Sequence, residues 1–260
     1  MVQPGMAGIM VTCARGREGK SVKEIMDVFN EYADELYPAA VKSDDEEGSI
    51  DDLETSIAKE VEALKGPKTK KRFANIPTST DCVLFIKTKA PITPVSFVHH
   101  ILTDIMTNQL KKTRYTSRLL PIEITCPSNL PDIERVAREV ISPQFNTPNE
   151  DGSIIPRKFA VVARVRNCTK IDRATVIQTL ASVVGPEHPV DLDNPELTII
   201  VEVCQTICMM SVVKDFAKLK KYNIESLVGM NTAEKAPDVA QEGKPAEDQN
   251  ESEASPTISK

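Results

Sequence analysis

The chain has 260 residues, 32 basic against 38 acidic, for a net charge of −6. That length suits one large or two small domains, each with a core of its own. No apolar run is long enough for a membrane helix and no signal or transit peptide is recognisable, so a soluble intracellular protein without a membrane partner is expected. The six cysteines form no C-x-x-C pair and only three histidines could join them, so no metal site is expected and the thiols read as small apolar residues.

The acidic total is unevenly spread. Residues 42–62 carry −7 and residues 231–260 carry −4, which leaves the rest of the chain at +5. A balance that would argue against nucleic acid therefore hides a basic body.

In chain order, residues 8–13 read as a first strand. Ser21 and Glu24 have the spacing of a capping box. The helix they open carries Val22, Ile25, Met26, Phe29, Ala33 and Leu36 on one stripe, with Pro38 at its end. Residues 42–62 form an acidic insert too poor in apolar residues to fold, and 53–64 a weak helix. Residues 81–88 are a strand, and Thr93-Pro94 opens a helix to Asn108. This order points to a ferredoxin-like domain over residues 8–108.

A second α/β unit follows, so the whole is expected to be an α/β (α+β) protein. It has a strand at 118–125, a helix at 130–141 bounded by Ser128 and Pro143, and a polar loop at 146–156. Next come a strand at 159–166 and a helix at 172–184 stopped by Gly185-Pro186. Strands at 197–204 and 207–213 are apolar on both faces and are expected at the centre of a sheet. The chain from 229 onwards, rich in Ala, Glu, Pro, Ser and Gln, is expected to be disordered.

Basic residues gather at particular places. Lys111, Lys112, Arg114 and Arg118 lie between the two units. Arg164 and Arg166 are two apart on one strand and share a face, while Phe159, Val161, Ala163 and Val165 take the other. Lys170 and Arg173 sit at a helix start, where backbone N–H groups also favour anions. Lys214, Lys218, Lys220 and Lys221 follow the last strand. Taken singly, each is more often a solvated charge; together they are candidates for phosphate contacts.

Three motifs compete with that reading. ARGREGKS at residues 14–21 fits a relaxed Walker A pattern between a strand and a helix. It lacks the first glycine and a recognisable strand ending in a magnesium-binding Asp, so a basic loop near RNA is the better reading and a nucleotide-dependent enzyme the alternative. His99-His100 has no recognisable carboxylate or nucleophile partner and is not expected to be catalytic. KGPKTKKR at 65–72 is open between a nuclear localisation signal, an RNA-binding linker and a solvated loop.

VDLDNPELTIIVEV at residues 190–203, an acidic turn feeding a strand, resembles the signature at the end of a THUMP domain, an RNA-binding module of tRNA-modifying proteins. KKTRYTSRLLPIEITC (111–126) is similar to the beginning of that module, FAVVARVRNC (159–168) to its middle and SVVKDFAKLKKYN (211–223) to its exit. Residues 8–38 resemble the start of one subfamily, the eukaryotic THUMP-domain adaptors of tRNA cytidine acetylation. The resemblance covers 8–38 and 82–228. It implies a THUMP domain over 109–228 that recognises tRNA, and the clustered basic residues Lys111, Lys112, Arg114, Arg118, Arg164, Arg166, Lys170 and Arg173 are the expected RNA contacts. Asn194 and Pro195 are expected to build the signature turn, with the Asn194 side chain closing it. It further implies a non-catalytic adaptor without cofactor, presenting serine and leucine tRNAs to an RNA cytidine acetyltransferase for N4-acetylcytidine formation. Nucleus or nucleolus is the expected location, cytoplasm the second choice. A protein scaffold that has lost RNA binding stays as a further alternative, and no oligomeric state is readable.

Overall fold

The computed structural model describes residues 1–38, 72–146, 148 and 153–228. The acidic insert, the weak helix at 53–64, the basic run up to residue 71 and the C-terminal tail fall outside the described residues.

The first unit runs β1 (Gly8–Cys13), α1 (Glu18–Leu36), β2 (Phe73–Ile76), β3 (Val83–Thr88), α2 (Pro94–Asn108) and β4 (Thr116–Ile122). Its strands form an antiparallel sheet in the order β2-β3-β1-β4, the split order of a ferredoxin-like fold. The second unit runs β5 (Ile124–Pro127), α3 (Leu130–Phe145), β6 (Phe159–Arg166), α4 (Arg173–Val184), β7 (Leu197–Cys204) and β8 (Ile207–Lys214). Its sheet has the order β5-β8-β7-β6, with β6 and β7 parallel and the other pairs antiparallel. A 3₁₀ turn at Lys220–Tyr222 and a short α5 (Ile224–Val228) follow.

Period-two alternation explains how the second sheet is covered. Phe159 and Ala163 of β6, Ile199, Val201 and Val203 of β7, and Met210 and Val212 of β8 face α3 and α4. The alternate residues Ile200 and Cys204 of β7 and Met209 and Val213 of β8 pack into the core of the first unit, with Ile9, Phe85 and Leu120. Every residue of β7 is buried, as its apolar composition on both faces requires. After β8 the chain returns to the first unit, and Phe216, Leu219, Tyr222, Ile224 and Leu227 join that same core. The Tyr222 hydroxyl donates to the Lys214 carbonyl at 2.9 Å, so its buried oxygen is satisfied.

Four expectations need correction. The strand expected at 118–125 is two strands: β4 pairs with β1 in the first sheet, β5 with β8 in the second, and the chain changes sheet at Glu123 rather than at 108/109. The helix expected to stop before Pro143 continues to Phe145, because Phe145 is held in the core against Phe159 and His188 at ring separations of 5.7 and 5.0 Å. β2 is additional, an edge strand of four residues and too short to show alternation. Finally, Ser21 and Glu24 are not a capping box. α1 already begins at Glu18, which leaves Ser21 buried within the helix. The Ser21 hydroxyl meets that of Thr116 at 2.7 Å. The Glu24 carboxylate accepts from the backbone N–H groups of Arg114 (2.9 Å) and Tyr115 (2.8 Å) and from the Thr116 hydroxyl (2.8 Å). The pair fastens the loop before β4 to α1.

Glu24→Ala leaves those donors without their protein acceptor. We expect a loss of about 1–3 kcal/mol, seen as a lower urea midpoint at unchanged slope. A midpoint equal to that of the unsubstituted protein would contradict this role.

Candidate nucleic-acid interface

The parallel register of β6 and β7 sets Arg164 opposite Glu202. Both lie on the sheet face that packs toward the first unit, beyond Val162 and Ile200. There the apolar filling ends and a groove of about 780 Å³ opens, walled by Leu120, Val162 and Ile200. Five basic side chains line it: Arg118 from β4, Arg164 and Arg166 from β6, Arg173 from the start of α4 and Lys221 from the turn after β8. Glu202 forms part of its lining.

The electrostatics follow from burial. Glu202 is 2% exposed, whereas Arg164 is 44% and Arg166 30% exposed. Arg164 Nε lies 3.8 Å from Glu202 Oε1 and Arg166 Nε 3.4 Å from Oε2. These are ion pairs without well-formed hydrogen bonds, and Oε2 is buried with no donor among the described residues. Burial pushes the Glu202 carboxyl above the usual carboxylate range, against the pull of Arg166, Arg164 and Arg118. Burial lowers the Arg118 pKa; Arg164 and Arg166 act in the same sense and Glu202 opposes them. Arg173 donates from Nε to the Ala163 carbonyl at 3.0 Å, which anchors the side chain through one donor of its guanidinium. Five cations and a single carboxylate lining one groove suit a polyanion bound through its phosphates.

Only part of the expected set converges here. Arg118, Arg164, Arg166 and Arg173 share the groove, and of the lysines after β8 only Lys221 joins them. Lys111 pairs with Glu225 at 3.3 Å and Lys112 with Glu31 at 2.8 Å. Arg114 lies over the Tyr115 ring. Lys170 borders a shallow depression with Asn167, Cys168 and Thr169. Sequence reasoning passed over Glu202; its signal was a lone charge in the apolar run TIIVEVC, in register with an arginine on the neighbouring strand.

In the signature turn, Asn194 is exposed and Pro195 half-buried. The side chain that closes the turn is that of Asp191, not Asn194: its Oδ1 accepts from the backbone N–H groups of Asp193 (3.1 Å) and Asn194 (2.8 Å). The Asn194 N–H, and then Lys158 at 3.0 Å, hold the Asp191 carboxyl below its usual range.

The Walker-like segment does not make a phosphate cradle. Ser21 is buried against Thr116, and the Glu18 carboxylate already accepts from the Cys82 N–H at 3.2 Å at the start of α1. β1 runs antiparallel to both neighbours, unlike the parallel strands of a nucleotide-binding sheet. His99 does have a carboxylate partner, with Nε2 3.0 Å from Asp215 Oδ2. Among the described residues, no cluster of three or more His, Cys, Asp or Glu could hold a metal ion, and no helix is long and apolar enough to cross a membrane.

The THUMP domain profile matches residues 127–213. The chain is 33% identical over 251 residues to tRNA acetyltransferase TAN1 of Saccharomyces cerevisiae, covering 87% of this chain and 86% of that protein. It is 37% identical over 238 residues to THUMP domain-containing protein 1 of Mus musculus, covering 87% of this chain and 66% of that one. The chain belongs to this family of THUMP-domain proteins. It spans just under two thirds of the length of its mouse relative. The solution structure of the THUMP domain of THUMP domain-containing protein 1 matches 33% of this chain and 84% of that domain, at 35% identity and a TM-score of 0.28. Within the THUMP segment lie Arg164, Arg166, Arg173 and Glu202, whereas Arg118 and Lys221 reach the groove from outside it. The groove therefore belongs to the junction of the THUMP domain with the ferredoxin-like unit.

The raised pKa of Glu202 gives the groove a pH dependence. As pH falls, this carboxyl takes a proton earlier than an ordinary one, and the groove gains one positive charge. By linkage, ionising it opposes folding as pH rises through its folded-state value. As the pH is lowered from neutrality, binding of labelled heparin is expected to tighten by up to about threefold, the effect of one charge at ~7 Å in water. Glu202→Gln should remove that component; an identical pH profile in the variant would refute it.

Proposed function

We propose that the groove binds the sugar-phosphate backbone of tRNA, and that the protein is a non-catalytic adaptor presenting tRNA to an RNA cytidine acetyltransferase for N4-acetylcytidine formation. Serine and leucine tRNAs are the proposed substrates. The observation that carries the reading is the convergence of Arg118, Arg164, Arg166, Arg173 and Lys221 on one groove in a THUMP-family chain. The name of the yeast relative, a tRNA acetyltransferase, supports both the RNA and the reaction. The same name favours a second reading, in which this chain itself transfers the acetyl group. The groove offers guanidinium forks and a buried carboxylate, the equipment of positioning and charge neutralisation. An adaptor of this kind works through effective concentration. It holds the tRNA while touching the enzyme and raises apparent affinity by roughly 10²–10⁴ with no change in the chemical step.

Binding comes first in the test. With about four phosphates engaged, the log–log salt slope for tRNA should be roughly −3 to −4. Arg164→Ala with Arg166→Ala should weaken binding and flatten the slope by about one unit per lost contact. Unchanged affinity and slope would sink the assignment of the groove. The adaptor role is tested by reconstitution with the acetyltransferase, acetyl-CoA, ATP and tRNA. Product is expected only when both proteins are present, and much less with the double variant. Acetylation by this chain alone would establish the catalytic reading instead.

A further inference from the structure

The first unit carries a second basic constellation outside the groove. Tyr115 lies in the loop before β4, and its backbone is pinned on both sides. Its N–H donates to Glu24 Oε1 at 2.8 Å, and its carbonyl accepts from the Ala14 N–H at 2.9 Å. The half-buried ring is surrounded by cations: Lys20 Nζ is 5.6 Å from its centroid, Arg114 Cζ 5.7 Å and Arg17 Cζ 5.9 Å. All three basic side chains are exposed, and none makes an ion pair among the described residues. Two carboxylates of α1 are turned to backbone donors, Glu18 to Cys82 and Glu24 to Arg114 and Tyr115. Attraction to the ring face offsets part of the repulsion among three like charges. Among the described residues, the cluster has no anion paired with it.

We propose that Tyr115, Arg17, Lys20 and Arg114 form a second RNA-contact site that takes an unpaired nucleotide, the ring stacking its base and the cations meeting its flanking phosphates. An aromatic face bordered by cations is a pattern by which proteins hold single-stranded nucleic acid. The proposal rests on the reading of the groove as an RNA site and extends it. Tyr115 precedes β4 and lies three residues before Arg118, about 10 Å along an extended chain. Lys112 does not belong to the constellation, since Glu31 neutralises it and it lies over Tyr32 instead. The hydrogen bonds that fix this loop make the ring a preset platform, with little further ordering needed on binding.

The experiment is tRNA binding by the full chain across a salt series, with Tyr115→Phe, Tyr115→Ala, Arg17→Ala/Arg114→Ala and the groove variant Arg164→Ala/Arg166→Ala. Tyr115→Phe keeps the ring and is expected to bind like the unsubstituted protein. Tyr115→Ala should weaken binding by roughly fivefold or more, the low end of one lost stacked base. Arg17→Ala/Arg114→Ala changes two exposed side chains, so its thermal transition should be unchanged while its salt slope flattens by about one to two units. If that variant and Tyr115→Ala bind normally while the groove variant is impaired, the second site is wrong and the groove reading stands. If the groove variant is unimpaired and these two are weakened, the second site stands and the groove reading fails. Absence of tRNA binding together with capture of an acidic peptide on Tyr115 and its cations would assign the cluster to a protein partner and overturn the proposal.

Discussion

The sheet of the THUMP domain has two buried faces, and most of what is distinctive in this molecule follows from that constraint. One face is covered by α3 and α4; the other gives Ile200, Met209 and Val213 to the core of the ferredoxin-like unit. A shared core of this kind holds the two units as one body, because separating them would return those side chains to water. The groove sits where the shared core runs out. Along β6 and β7 the inward residues change from Val162 and Ile200 to Arg164 and Glu202, and this change from apolar to charged pairing sets the groove's floor.

Glu202 acts chiefly through its neighbours. Several guanidinium groups brought close together repel one another, and Arg118 is partly buried as well, which lowers its pKa. A buried carboxylate between Arg164 and Arg166 relieves that repulsion while leaving the exposed ends of both arginines free for a ligand. Net charge is a poor guide in such a protein. The chain totals −6, yet its groove is lined by five cations and one acid.

Much of the fold was legible in the sequence because strand alternation and helix stripes are local. The division of β6 into an apolar odd face and an even face with Arg164 and Arg166 holds in the structure. So does the buried centre formed by β7 and β8. What failed were inferences that needed the identity of a distant partner. Ser21 and Glu24 have the same spacing whether they cap their own helix or, as here, reach Thr116 and the loop before it. Closeness in sequence suggested one basic cluster at residues 111–118, but an extended chain separates what it lists in order. Lys111 and Lys112 meet Glu225 and Glu31, while Arg118 alone turns to the groove. The turn at Asp191 illustrates the same limit on a smaller scale, since either Asp191 or Asn194 could have closed it and the backbone chose the first.

The return of the chain after β8 bears on how the protein is made. Ile9 and Phe29 near the amino end share a core with Phe216, Tyr222 and Leu227. On the ribosome, where amino-terminal segments emerge first, the ferredoxin-like unit has its strands and helices long before it has its last core residues. It must wait, with apolar surface open, until the whole THUMP segment has been synthesised and the chain has come back. Final closure of the first unit and completion of the second are therefore one late event, and any early collapse of the nascent chain has to leave room for it.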